Sequence, residues 1–169
     1  LSKFGVDLEV HIASLRRYAR ALLRNGADAE DLVQEALTRA VARADSFQAG
    51  TNLRAWLFTI LHNVHVNQVR SKAARPQEVD VADVESKLVS PARQEERVEL
   101  REMMRAVDEL PEEQRKVLLL VALEGLKYDE VADMLGVPIG TVMSRLSRAR
   151  EAVRAKLANE GGVTLRRVK

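Results

Sequence analysis

The chain has 169 residues, 46% hydrophobic and 31% charged, with a net charge of +2 and no cysteine. The lack of Cys excludes a disulfide framework, a thiolate metal site and a Cys nucleophile. No apolar run approaches the roughly 18 residues of a membrane helix, and the N-terminus shows no signal-peptide pattern, so a cytoplasmic protein without a membrane segment is expected. Aromatics are 4%, and Ala, Leu, Arg and Glu dominate, which predicts an all-α chain long enough for one large or two small domains. The chain begins at Leu1 rather than Met, which reads as a trimmed start. Charge is unevenly spread: +4 over residues 1–75, −5 over 76–110 and +3 over 111–169. Two basic lobes joined by an acidic middle suggest two surfaces for a polyanion.

Leu8 to Arg24 predicts a first helix, with Leu8, Ile12, Leu15, Ala19 and Leu22 on one face and Asn25-Gly26 as its stop. Asp28 is the expected N-cap of a second helix running to about Ala44, with Leu32, Ala36, Leu37, Ala40 and Val41 inward. Asp31, Gln34, Glu35 and Thr38 share its other face, which is either a solvated, dipole-favoured surface or a polar docking face. The loop Asp45 to Asn52 offers Ser46, Gln48, Thr51 and Asn52 as hydrogen-bonding groups and Phe47 as a stacking face. That mixture can grip an unstacked base; a lone loop Phe also commonly plugs a core edge.

Thr51 or Asn52 caps a long helix from Leu53 to about Arg70, with Leu53, Trp56, Leu57, Ile60, Leu61 and Val64 as its core stripe. Arg54, His62, Asn63, His65 and Asn67 are expected on its outer faces, and Arg70, Lys72 and Arg75 form a basic end. His62 and His65 have a spacing seen in metal sites, but no Cys or positioned carboxylate joins them, so surface histidines and no metal are expected.

Pro76 to about Ser90 is acidic and poor in apolar residues, a mobile linker between domains 1–75 and 96–169. Pro91 opens a helix reaching Leu110, with Leu100, Met103, Met104 and Val107 inward, and Pro111 opens the next, packed by Val117, Leu118, Leu120 and Val121 and stopped at Gly125. Tyr128 to Leu157 reads as a helix-turn-helix: Val131, Ala132 and Leu135 on a short helix, Gly136 as its terminator, a turn at Val137-Pro138, then a second helix. Val142, Leu146, Ala149, Val153 and Leu157 form the apolar stripe of that second helix, leaving Thr141, Met143, Ser144, Ser147 and Arg148 facing solvent and Arg145 at the edge. Small residues in the first turn, with Arg one and two turns on, suit a helix entering a major groove. The bland alternative is a basic amphipathic helix in an ordinary hairpin. Gly161-Gly162 ends the order before a basic tail, Val163 to Lys169. No GxSxG, phosphate-binding Gly loop, HExxH or Cys/His pair is present, so neither catalysis nor a cofactor is expected.

The order of these motifs resembles the extracytoplasmic-function sigma factors of bacterial RNA polymerase. DAEDLVQEAL (Asp28 to Leu37) resembles the segment that docks on the polymerase clamp. DSFQAGTNLRAWLFTILHNVHVNQ (Asp45 to Gln68) resembles the segment that melts and reads the −10 element. The stretch from Leu110 to Arg150 resembles the domain that reads the −35 element, and SFQAGTNLRAWLFTIL also resembles the alphaproteobacterial general-stress group. The resemblance implies two helical domains, the second with the helix-turn-helix, joined by the acidic linker. It implies that Asp31, Gln34 and Glu35 meet core RNA polymerase, and that Ser46, Phe47, Gln48, Asn63, Asn67, Arg70 and Lys72 meet −10 DNA. Thr141, Met143, Ser144, Arg145, Ser147 and Arg148 would meet −35 DNA, and an anti-sigma factor would hold the free protein. Met143 and Ser147 stand where relatives often carry a basic and a larger residue, and His65-Val66 where many are more basic or aromatic. Two other readings are a sigma-like decoy that only sequesters an anti-sigma factor and a stand-alone helix-turn-helix regulator.

Overall fold

The computed structural model describes residues 3–75 and 94–161. Most of the expected linker and the basic tail lie outside the described residues. Among those described there are seven α-helices and no strand, as the composition predicts. Three helices build a first lobe: α1 (Lys3–Leu22), α2 (Gly26–Ala42) and α3 (Leu53–Ala73), with a 3-10 turn at Ala44–Ser46. Four build a second: α4 (Gln94–Asp108), α5 (Glu112–Leu118), α6 (Tyr128–Leu135) and α7 (Ile139–Gly161), with a wide π-type turn at Leu119–Leu123.

Local chemistry sets the helix ends. Asn25, not Asp28, caps α2: its side chain accepts from the backbone N–H groups of Ala27 at 2.9 Å and Asp28 at 3.2 Å, leaving Asp28 inside the first turn. Asn52 caps α3 by accepting from Ala55 N–H at 3.1 Å. Gly136 ends α6 with φ +66°, a conformation glycine adopts without a Cβ penalty, and Val137 N–H closes back on Ala132 O at 3.1 Å.

The first lobe packs Leu15, Tyr18 and Ala19 of α1, Ala29, Leu32, Val33 and Ala36 of α2, and Leu57, Ile60, Leu61 and Val64 of α3. Val41 is exposed although it was expected inward. At about 100° per residue it lies opposite the arc that Ala29, Leu32, Ala36 and Ala40 bury, and Val33 fills that arc instead. In the second lobe Val117, Leu120, Val131, Val142, Leu146 and Ala149 are buried. Leu100 and Met103, also expected inward, are exposed; α4 packs through Ala106 and Val107 near its end, with Leu110 buried just beyond it.

The largest difference from expectation concerns α3. Part of its expected outer side, Arg54, His62 and His65, is covered with Phe58 by the second lobe, because α3 packs on α6 and α1 packs on α4 and the wide turn, while Asn63 and Asn67 stay exposed. His65 is 5% exposed, where a surface position was expected, and Glu124 is 3% exposed. Phe58, absent from the predicted stripe, is fully buried edge-on to Tyr18, with ring centroids 5.4 Å apart. Replacing Phe58 with Ala should lower unfolding stability by about 3–5 kcal/mol in urea denaturation, through lost transfer and an unfilled cavity; a loss under about 1 kcal/mol would show that this ring is peripheral to the core.

Candidate functional site

Three surface regions carry the polar chemistry. On α2, Asp31 and Gln34 are exposed, and Glu35 is half-buried. Glu35 accepts from Arg39 one turn on and from Gln68 of α3 at 2.9 Å, so this acidic face continues across onto α3. Thr38 donates to Gln34 O at 2.8 Å and turns its hydroxyl inward on its own helix.

The loop between α2 and α3 is folded tightly upon itself. The Ser46 hydroxyl donates to Arg43 O at 2.7 Å, and Thr51 donates to Gln48 O at 2.7 Å. Phe47 lies 5.2 Å from Trp56 and 6.0 Å from Phe4, ring centre to ring centre, in a half-buried aromatic cluster. Gln48 points to solvent. Asn63, Asn67 and Arg70 are exposed and lie within one arc of α3, on the same side as Trp56. Lys72 is exposed on another side, 3.5 Å from Asp28 of α2, so the helix does not gather it with the other three.

In the helix-turn-helix, the exposed Met143, Ser144, Ser147 and Arg148 and the half-buried Thr141 lie on the first three turns of α7. Arg145 is tied to Glu113 of α5 at 3.1 Å, which fixes the edge position read from the sequence. Met143 and Ser147 turn toward α6 and line a groove with Tyr128, Arg150 and Arg154; the last three were not among the expected contacts. Thr141, Ser144 and Arg148 lie on the adjoining face.

A fourth constellation was missed altogether. Glu124 sits just after the wide turn, and its side chain is fully buried between the lobes. Arg17 of α1 grips it with Nε to Oε1 and Nη2 to Oε2, both 2.9 Å, and Arg54 of α3 donates to Oε2 at 2.7 Å. Arg54 also lies 5.7 Å from the centre of the Phe58 ring. Beside this, His65 Nε2 is 3.0 Å from Glu112, which also pairs with Lys116 at 3.1 Å. Asn52, the cap of α3, donates to Glu130 of α6. The sequence held one signal, a lone carboxylate in the apolar run Leu118–Leu126.

His62 lies beside the same seam, and its Nδ1 is buried without a hydrogen-bond partner. Burial, then the Lys116 ammonium and His65, push its pKa down to about 4 from an ordinary 6.5. Among the described residues no three metal-ligating side chains cluster.

The folded chain is thus a two-lobed, all-helical protein of the helix-turn-helix DNA-binding class. Residues 100–153 match the family of sigma-70 region 4, and residues 8–62 match the sigma2 domain of PhyR. An ECF RNA polymerase sigma factor EcfG of Rhodopseudomonas palustris (strain TIE-1) is 40% identical over 92% of this chain and 85% of its own length. The sigma factor RpoE of Bartonella quintana, solved in complex with the anti-sigma factor NepR, superposes with TM-score 0.74 at 31% identity, covering 95% of this chain and 100% of that one. CnrH, solved with the cytosolic domain of CnrY, superposes with TM-score 0.69 at 26% identity, over 94% of this chain and 89% of its own. The chain belongs to the extracytoplasmic-function sigma factors, which bind core RNA polymerase and direct transcription initiation at specific promoters.

The buried imidazole has a consequence for pH. His62 is neutral in the folded chain and takes up a proton on unfolding, so its contribution is complete above pH 6.5 and is lost as pH falls from 6.5 toward 4. Urea denaturation should show stability falling over that window by up to about 1.4 kcal/mol per pH unit. His62→Gln should flatten this slope; an unchanged slope would assign the dependence to another group.

Proposed function

We propose that the two lobes divide promoter reading between them. The second lobe sets α7 in the major groove of the −35 element, with Thr141, Ser144, Ser147 and Arg148 meeting the DNA; Met143 and Arg145 lie at the two margins of that surface. The first lobe receives melted −10 bases at the loop of Ser46, Phe47 and Gln48, with Asn63, Asn67 and Arg70 along α3. Asp31, Gln34 and Glu35 dock on polymerase, and Lys72, beside Asp28, stands near that acidic face as well as near the basic end of α3. The observation that carries this reading is the agreement of chain order and surface. An acidic face, an aromatic-edged polar loop and a small-residue recognition helix are all solvent-accessible on one folded chain.

The protein supplies binding and positioning, and bond formation belongs to the polymerase. It works in the cytoplasm, and its inhibitor is an anti-sigma factor. The resemblance to EcfG and to the NepR-bound RpoE favours the general-stress group and a NepR-like inhibitor. Run-off transcription with core polymerase on a promoter library tests the whole reading: initiation that depends on the added protein supports it. Polymerase binding without initiation on any promoter would favour a sigma-like decoy.

Arg148→Ala should weaken binding to a matched −35 duplex by about 1–3 kcal/mol if its guanidinium reads a guanine edge. Unchanged affinity would remove Arg148 from the reading face. Gln34→Ala with Glu35→Ala should lower polymerase affinity while circular dichroism stays native. Undiminished pull-down by a natively folded variant would overturn the docking assignment.

A further inference from the structure

We propose that Glu124 is an intramolecular latch, closing the helix-turn-helix lobe onto the first lobe and keeping the chain in a form unable to read both promoter elements at once. The inference rests on the proposed function, in which the lobes take the −10 and −35 elements. Those elements lie roughly 25 base pairs apart, or about 85 Å at 3.4 Å per base pair. A compact chain of this length has a radius of gyration of about 15 Å. In the closed form Asn52, beside the −10 loop, touches Glu130 of the helix-turn-helix itself. Simultaneous reading therefore requires the lobes to part.

Apolar packing and several ion pairs oppose parting, and among the polar ties the fully buried one is the Glu124 carboxylate. Glu124 comes from the second lobe, and both guanidiniums that satisfy it come from the first. The three hydrogen bonds use both of its oxygens in a site where its side chain has no solvent contact. Removing either arginine leaves the carboxylate paired with the other, whereas removing both strands a buried charge, so the two arginines act jointly. Yet Arg17 is half-exposed, with 51% of its side chain open to solvent, and separation returns all three charges to water. The net cost of opening is thereby kept far below the gross attraction, as for buried ion pairs generally. Such a contact enforces one closed geometry without locking it, and a partner that binds the separated lobes can displace it.

The peripheral ties are weaker by construction. Glu112, the first-lobe histidine's partner, is substantially exposed and shared with Lys116, and Asn52–Glu130 is exposed on both sides. The wide turn preceding Glu124 adds one residue to the helical path, rotating the downstream residues by about 100° relative to an unbroken α-helix. That rotation aims the carboxylate at the other lobe rather than along the face of α5.

The chain has no native Cys, so Ala42→Cys and Ala158→Cys, both exposed and one on each lobe, give a clean dye pair for single-molecule energy transfer. No polymerase or DNA is present, so failure here is distinguishable from failure of the promoter assignment. The parent should populate a high-transfer form. Glu124→Gln should lower the closed-to-open ratio at least about tenfold, the equivalent of about 1.4 kcal/mol. Arg17→Ala with Arg54→Ala, on the other lobe, should open the chain comparably, even if Glu124→Gln disturbs the wide turn. Combining all three changes should open it little further, because the groups act as one unit. Equal transfer in the parent and in both sets of variants would overturn the latch, as would fully additive effects of the two sets.

Discussion

The closed arrangement turns on a carboxylate that no water reaches. Glu124 stands between Arg17 and Arg54, and around that contact α1, α3 and the wide turn are brought into register. Without both guanidiniums a charge would be left buried and unpaired, a cost of several kcal/mol by the usual measure of such sites. Apolar packing supplies the bulk of the attraction, but it is tolerant of small slips, whereas a forked ion pair is not. The ion triad therefore selects one relative placement of two lobes that share a continuous apolar core.

α3 is the element through which this placement is felt. One side, Leu57, Ile60, Leu61 and Val64, closes the first lobe; the adjoining side, Arg54, Phe58, His62 and His65, receives the second. Its remaining arc, with Asn63, Asn67 and Arg70, stays open to solvent. A single helix thus serves as core, seam and candidate DNA face, in three arcs about its axis. The closed form leaves the last of these uncovered; it limits the chain through the spacing of its two DNA-reading surfaces rather than by masking either one. His62 sits at the edge of the seam arc farthest from the core arc, and its Nδ1 is buried there without a partner.

Much of the local structure was legible without coordinates. The stripes Leu8-Leu15-Ala19-Leu22 and Val142-Leu146-Ala149-Val153 are buried as helical spacing requires. Gly125 and Gly136 both adopt the left-handed conformation that their places after helices demanded. The misses have local causes. Two capping residues competed at the start of α2, and Asn25 sits at the extended position from which its oxygen reaches two N–H groups. Val41, Leu100 and Met103 were placed inward by counting apolar residues, but each lies where its helix has no neighbour to meet.

Helix periods, caps, turn glycines and the order of the motifs are short-range properties, written in residues a few places apart, and the sequence by itself determined them together with the family. The assignment of Arg54 and His65 to outer faces failed because their partners lie 70 and 47 residues away along the chain, and Glu124 lies 107 and 70 residues from its two arginines. A lone carboxylate in an apolar run hints at burial, but nothing local identifies the two arginines that it will meet. Only the tertiary structure decided which outer face of α3 is covered, and the reason is that burial of a charge is settled by what packs against it.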